Sequence, residues 1–439
     1  MDLTTDVSLR SWVLSANLES ADFPIQNLPF GVFDVRTDSR GPRPGVAVGN
    51  QVLDLARSAA EGLLRGAAAE AAAACAGTSL NALMALGRVN RLALRRRLVE
   101  LLREDGGARE EERARVRTCL VPLSEAELLV PASIGDYTDF YASIFHAANV
   151  GRLFRPDNPL LPNYKHVPIG YHGRASSVLA SGNDVVRPRG QVRNEKTGVP
   201  EFVPSRRLDY ELEVGWFVGP GNELGEPIPI AEAEDHIFGL CLVNDWSARD
   251  IQTWEYQPLG PFLAKSFATS ISPWIVTLEA LEPFRVAPAR RAPGDPLPLP
   301  YLRSVRDQER GAFDIHLEVL VSTDSTRRAE REPARLSLGN LRHMYWTPAQ
   351  MLSHHASNGC NLRPGDLLAS GTVSGPEPDQ RGCLLELTEG GTKPVSLPGG
   401  EKRLFLEDGD EVILRGWCER AGFRRIGFGE CRGRIVPAR

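Results

Sequence analysis

Leu208-Asp-Tyr-Glu-Leu-Glu-Val-Gly-Trp-Phe217 alternates apolar and acidic residues with period two. On a strand, Asp209, Glu211 and Glu213 share one face and Leu208, Tyr210, Leu212 and Val214 the other. Carboxylates at i and i+2 repel each other unless water or a cation separates them. The acidic face is therefore either a solvated surface or part of a cation site, and this segment alone leaves both readings open. From about residue 131 the chain runs in short β-rich stretches broken by Gly and Pro, without regular strand–helix alternation. That texture predicts a β-dominated domain rather than a doubly wound parallel sheet. Glu411-Val-Ile-Leu-Arg415 and Arg425-Ile-Gly-Phe-Gly429 read as its closing strands.

The first 130 residues differ in character. Gly31-Val-Phe-Asp-Val35 and Gly45-Val-Ala-Val-Gly-Asn-Gln-Val-Leu-Asp-Leu55 predict short strands, the second with a turn at Gly49-Asn50. Ala59 to Arg117 is rich in Ala and Arg, with Leu and Ala at helical intervals, and predicts helices, including at the biased run Ala67–Ala76. Pro288 to Pro300 reads as a surface insertion, and Asp408-Gly-Asp410 as a hairpin turn. Gly219-Pro-Gly221 reads as a turn, because its glycine spacing and prolines do not suit a dinucleotide loop.

Composition narrows the function classes. The chain has 439 residues, 24 % charged, with a net charge of -5, which argues against nucleic acid or an anionic membrane as the main partner. No apolar run approaches the ~20 residues that span a bilayer, and the first residues lack the basic start and apolar run of a secretory signal. Seven cysteines, an odd count without Cys-x-x-Cys, fit free thiols in a cytoplasmic protein.

In Asn244-Asp-Trp-Ser-Ala-Arg-Asp-Ile-Gln-Thr-Trp-Glu-Tyr256, the residues Asp245, Arg249, Gln252 and Tyr256 recur at helical stride. The segment predicts one helical face bearing an acid, a guanidinium, an amide and a phenol. Lys265 follows in apolar company. Asp139 and Asp245 could join Glu211 and Glu213 in an all-oxygen cage suited to Mg²⁺ or Ca²⁺. The glycines of Gly371-Thr-Val-Ser-Gly375 would let backbone and the Thr372 hydroxyl approach a ligand. His354 and His355 read as packing residues. His146, flanked by Phe145 and alanines, reads by itself as a packed histidine too.

Taken together, these segments resemble the fumarylacetoacetate hydrolase family. The resemblance rests on Asp22-Phe-Pro-Ile-Gln-Asn-Leu-Pro-Phe-Gly-Val-Phe33, Asp136-Tyr-Thr-Asp-Phe-Tyr141, Gly170-Tyr-His-Gly-Arg-Ala-Ser-Ser177, Asn244-Asp-Trp-Ser-Ala-Arg-Asp-Ile-Gln252 and Asn361-Leu-Arg-Pro-Gly-Asp-Leu-Leu-Ala-Ser-Gly-Thr372. It implies a mainly β protein with some α: an N-terminal SH3-like barrel domain over residues 1–130, carrying the Ala-rich helical insertion, and a catalytic mixed β-roll over 131–439. It also implies a homodimer acting on a small diketo acid, by metal-dependent hydrolysis of the carbon–carbon bond of fumarylacetoacetate.

Carried over by motif, the metal ligands are Asp139, Glu211, Glu213 and Asp245, with a nearby cation site at Asp245, Lys265 and Thr269. The implied substrate-binding residues are Tyr141, Arg155, Tyr171, Gln252, Tyr256 and Thr372. His146 becomes the base, oriented by Glu386, and Arg249, Gln252 and Lys265 stabilise developing negative charge. One departure stands inside a motif: Ala268 occupies a position where the family usually has Gly. If that position needs a positive φ, Thr269 is displaced. The alternatives are a related acylpyruvate hydrolase, an oxo-acid decarboxylase or isomerase, and an inactive metal-binding dimeric protein.

Overall fold

The computed structural model describes residues 3–105, 107 and 109–439. The fold rests on three sheets, with helices at their margins. Near the N-terminus, strands Phe30–Asp34, Arg43–Val48, Gln51–Asp54, Leu120–Pro122 and Glu127–Leu129 form an antiparallel five-stranded sheet. Its two edge strands are the last two in sequence, joined by the short turn Leu123–Glu125, which curls the sheet. The turn expected at Gly49-Asn50 links Arg43–Val48 to Gln51–Asp54. The Ala- and Arg-rich region folds as short helices around one long one, Gly87–Leu102, and Ala69–Ala74 is helical as expected.

The central element is a mixed eight-stranded sheet. Strand Leu212–Val218 pairs antiparallel with Ile237–Asp245 on one side and with Leu367–Ala369 on the other. Leu367–Ala369 runs parallel to Tyr137–Phe140, and Asp245 pairs with Thr269 of Thr269–Ile271. Both central strands are buried on both faces, which is why they read as nearly unbroken apolar runs. Val214, Trp216 and Leu242 face the core of the larger part of the chain. Phe217, Cys241 and Val243 instead face a second core, built with Leu94, Leu98 and Val46 from the N-terminal segment. A second mixed sheet of five strands includes the two closing strands, Glu411–Cys418 and Ile426–Val436.

Two local expectations change. Asp245 is not on a helix: it ends strand Ile237–Asp245, and the helix begins at Arg249 and runs to Glu255. The spacing from Asp245 to Arg249 imitates a helical turn across a strand end. Asp408-Gly-Asp410 is a turn, with Gly409 at φ 91, but the strand that follows pairs with Ile426–Val436 and His316–Ser322, so it closes no hairpin. Asp410 is buried there and held by Arg403 at 2.8 and 3.0 Å.

Candidate active site

Asp139, Glu211, Glu213 and Asp245 come together, each offering a carboxylate oxygen within 4.8 Å of the others, and all are buried. They arrive from three strands of the central sheet, Tyr137–Phe140, Leu212–Val218 and Ile237–Asp245, and from Glu211 just before the second, so that sheet is the scaffold. Glu213 lies wholly inside, and among the described residues neither of its oxygens has a hydrogen-bond partner. Buried polar atoms are rarely left so. Asp139 Oδ1 accepts the Gly371 amide at 3.0 Å. Gly371 has φ 72, and a Cβ there would meet the Phe140 carbonyl at 2.1 Å, so only glycine lets this loop reach the acid.

Asp245 Oδ1 accepts Thr269 Oγ1 at 3.0 Å, and its Oδ2 accepts Tyr171 OH at 2.9 Å and Lys265 Nζ at 2.7 Å. Lys265 Nζ also donates to Glu211. Ala268 is absent from the positive-φ residues, so the departure from Gly leaves Thr269 on its strand.

Burial and then the neighbouring acids push Asp139 and Glu213 well above the usual carboxylate range. Glu211 behaves oppositely: burial would raise it, but Lys265 and Arg249 outweigh burial and hold it low. For Lys265, burial is more than offset by Asp245 and Glu211, and its pKa rises. An ammonium has no lone pair, so the Lys265 side chain itself cannot ligate a cation.

His146 sits in helix Ile144–Phe154, whose N-cap Ser143 accepts its amide at 3.3 Å. Its Nδ1 lies 2.6 Å from Glu386 Oε2. Since an ionised carboxylate can only accept, Nδ1 carries a proton, and in the neutral imidazole Nε2 presents the lone pair. Nε2 has no hydrogen-bond partner among the described residues. Glu386 also accepts Asn149 at 2.8 Å and Ser374 Oγ at 2.8 Å, with Cys383 Sγ at 3.3 Å. Burial would raise its pKa, but His146 and these donors bring it to about 2.

Arg249 is buried beside the cage. Its Nη1 lies 2.7 Å from Glu211 Oε1 and donates to Gln252 Oε1 at 3.2 Å, the contact expected from their shared helical face. Its Nη2 stands 2.9 Å from Asp209 without hydrogen-bond alignment and keeps unsatisfied donors. Tyr141 packs edge-on against the His146 ring at 5.3 Å. The Thr372 hydroxyl is buried and without a hydrogen-bond partner among the described residues.

A family profile described as Fumarylacetoacetate (FAA) hydrolase C-terminal matches residues 137–436, and one described as Fumarylacetoacetase N-terminal matches residues 26–131. The chain is 50 % identical over 423 residues to the fumarylacetoacetase of Homo sapiens, covering 96 % of this chain and 97 % of that one. The chain belongs to the fumarylacetoacetase family. To the fumarylacetoacetase of Oryza sativa subsp. japonica it is 48 % identical over 433 residues, 98 % of each chain. A solved fumarylacetoacetate hydrolase from Exiguobacterium antarcticum superposes with TM-score 0.50 at 16 % identity, covering 94 % of this chain and 100 % of that one. That likeness speaks to the fold alone.

Not every residue implied by the resemblance to the fumarylacetoacetase family converges on the cage. Arg155 is exposed at the C-terminal end of its helix, donating to the Pro159 carbonyl at 3.2 Å. Tyr256 is 37 % exposed and accepts a bond from Gln257 at 3.1 Å. Asp136, from the same motif as Asp139, turns outward to Arg363 at 2.8 Å. His355 Nε2 lies 2.8 Å from Thr138 Oγ1, and His354 Nδ1 lies 3.0 Å from Tyr301 OH.

Three groups around Glu386 escaped the sequence reading. Asn149 stands one helical turn from His146, a spacing that could have flagged it. Ser374 lies inside a motif already singled out, whereas Cys383 carried no signal.

Proposed function

We propose that the chain hydrolyses the carbon–carbon bond of 4-fumarylacetoacetate to fumarate and acetoacetate, the last step of tyrosine and phenylalanine breakdown. The observation that carries the reading is the buried His146–Glu386 pair beside a four-carboxylate cage, in a chain about half identical to fumarylacetoacetases along nearly its whole length. A decarboxylase or isomerase needs no activated water and so has no need of such a pair.

The cage fits a hard divalent ion, Mg²⁺ or Ca²⁺: its donors are all oxygens, and those of Glu213 are left over. Asp139, Glu211, Glu213 and Asp245 would hold it. When bound, such an ion supplies positive charge to the two oxygens of a β-diketone.

The protein's own part begins with water. His146 Nε2 takes a proton from water as its oxygen adds to one carbonyl carbon, and ionised Glu386 stabilises the imidazolium. Arg249, Gln252 and Lys265 donate to the resulting oxyanion. The carbon–carbon bond then breaks, its electrons leave in the enolate of acetoacetate, and that carbon takes up a proton. Tyr141, Tyr171, Tyr256 and Thr372 line the substrate, and Thr269 with Asp245 and the Lys265 carbonyl forms the neighbouring cation site.

Arg155 is assigned to the distal carboxylate, since a guanidinium fork matches that group. Its exposure means that the substrate or a closing segment must complete the contact. Arg155→Lys keeps the charge and loses the fork. We expect a raised KM for substrates bearing that carboxylate and little change on an uncharged diketone. An equal loss on both would remove Arg155 from the assignment.

A cytoplasmic homodimer is part of the same proposal. It is supported by the odd cysteine count and by the exposed apolar side chains of Phe202, Leu259 and Phe262. No helix among the described residues is long and apolar enough to cross a membrane. The deciding experiment mixes the purified chain with fumarylacetoacetate or an acylpyruvate and follows the loss of diketone absorbance. Turnover of the acylpyruvate alone would replace the substrate assigned here.

A further inference from the structure

Asp209 opens the acidic face of Leu208–Phe217, yet it stands outside the cage. Its carboxylate is wholly buried and saturated. Oδ1 accepts the amides of Tyr210 at 2.9 Å and Leu384 at 2.8 Å. Oδ2 accepts the Leu385 amide at 2.9 Å and Arg249 Nε at 3.0 Å. Leu384 and Leu385 are the first two residues of the single-turn helix Leu384–Leu387, which carries Glu386.

A helix so short has no stability of its own, as isolated helices need ~12–15 residues. Cys383 at its N-cap supplies no side-chain bond to the free amides. The cap comes instead from a residue 175 positions away in sequence. The same carboxylate grips Arg249, although Glu211 already neutralises that guanidinium from its other side. Charge balance alone does not require Asp209 to face Arg249, and capping alone does not require the cap to be shared.

We propose that Asp209 is a positioning residue, a clasp that fixes the Arg249 guanidinium against the helix bearing Glu386. Through it, the oxyanion donor and the base–orienter pair hold one mutual geometry. This rests on the hydrolase reading above for the roles of Arg249, His146 and Glu386. The clasp itself is a matter of which backbone and side-chain donors converge on one carboxylate.

Asp209→Asn tests it with almost no change of shape. The amide must turn its NH₂ either toward the Tyr210 and Leu384 amides or toward the Leu385 amide and Arg249 Nε, so in both orientations one helix amide is set donor against donor. We expect kcat to fall about 10²-fold, as when an oxyanion donor is mispositioned, with KM and Mg²⁺ affinity nearly unchanged. Amide exchange in a peptide spanning residues 383–388 should quicken. The Arg249→Lys and Glu386→Gln changes should each combine with Asp209→Asn at less than the product of the single losses.

Losses that multiply with either partner would overturn the clasp, as would unchanged exchange in that peptide. If Asp209→Asn does not melt cooperatively, Arg249→Lys carries the test. A lysine lacks the Nε–H through which Arg249 holds Asp209, so exchange at 383–388 should still quicken, and no change there overturns the proposal. Should the unaltered chain not turn over the diketone, the hydrolase reading falls, while the exchange measurements still decide the clasp.

Discussion

His146→Ala is expected to lower kcat by roughly 10²–10⁴-fold, the range that general-base catalysis contributes. Glu386→Gln should cost less. It keeps the shape and can still accept the Nδ1 proton at its amide oxygen, but it loses the charge that favours the imidazolium. Because Glu386 acts through His146, the double variant should be little worse than His146→Ala alone. The 2.6 Å contact between them is the reason to expect coupling at all, since 240 positions separate them in sequence. Losses that simply multiply would make Glu386 a structural acid. Binding of Mg²⁺ should survive both changes, because neither residue belongs to the cage. Steady-state kinetics of the three variants on fumarylacetoacetate, with calorimetric Mg²⁺ titration, decides between these outcomes.

The parts of this site that were legible from sequence are those where one local pattern carried the whole signal. Period-two alternation over Leu208–Phe217 placed Glu211 and Glu213 on one face, and both faces of that strand proved buried. The aliphatic face went to the main core and the acids to the site, so the alternation recorded two interiors rather than an inside and an outside. Helical stride correctly paired Arg249 with Gln252 and wrongly enrolled Asp245. The chain turns from strand to helix between Asp245 and Arg249, and periodicity cannot see such a change within a single turn.

Convergence of distant segments was not legible by pattern. His146 amid alanines looks like a packing residue until Glu386, Asn149 and Ser374 are brought around it. The resemblance to a family supplied that pair, where residue chemistry alone favoured the other reading. Asp209 was beyond both. Its alternation with Glu211 and Glu213 suggests the same task, but a β-bridge to Ser247 and the pull of Arg249 and two helix amides set it to a different one. What a buried carboxylate does depends on its donors, and those lie wherever the fold places them.

Stripping divalent cations with a chelator is expected to abolish turnover, with Mg²⁺ or Ca²⁺ restoring it. Charge balance gives the physical reason. Asp139, Asp209, Glu211, Glu213 and Asp245 are five buried carboxylates, and Arg249 and Lys265 are the buried cations in contact with them. Three negative charges remain in a region from which water is largely excluded. Burial first, and then the neighbouring acids, hold Asp139 and Glu213 well above the usual carboxylate range, so without a cation protons offset part of that excess. A divalent ion must displace those protons in order to bind. Two consequences follow for measurement. Affinity should rise with pH as the competing protons become scarcer. Calorimetric titrations in buffers of different ionisation enthalpy should also reveal protons released on binding. Glu213→Gln removes one of the two protonated acids and the oxygens that lack any partner, so it should weaken binding and reduce the proton release together. Full activity in a metal-free sample, or binding that neither depends on pH nor releases protons, would show that this cluster is not the cation site.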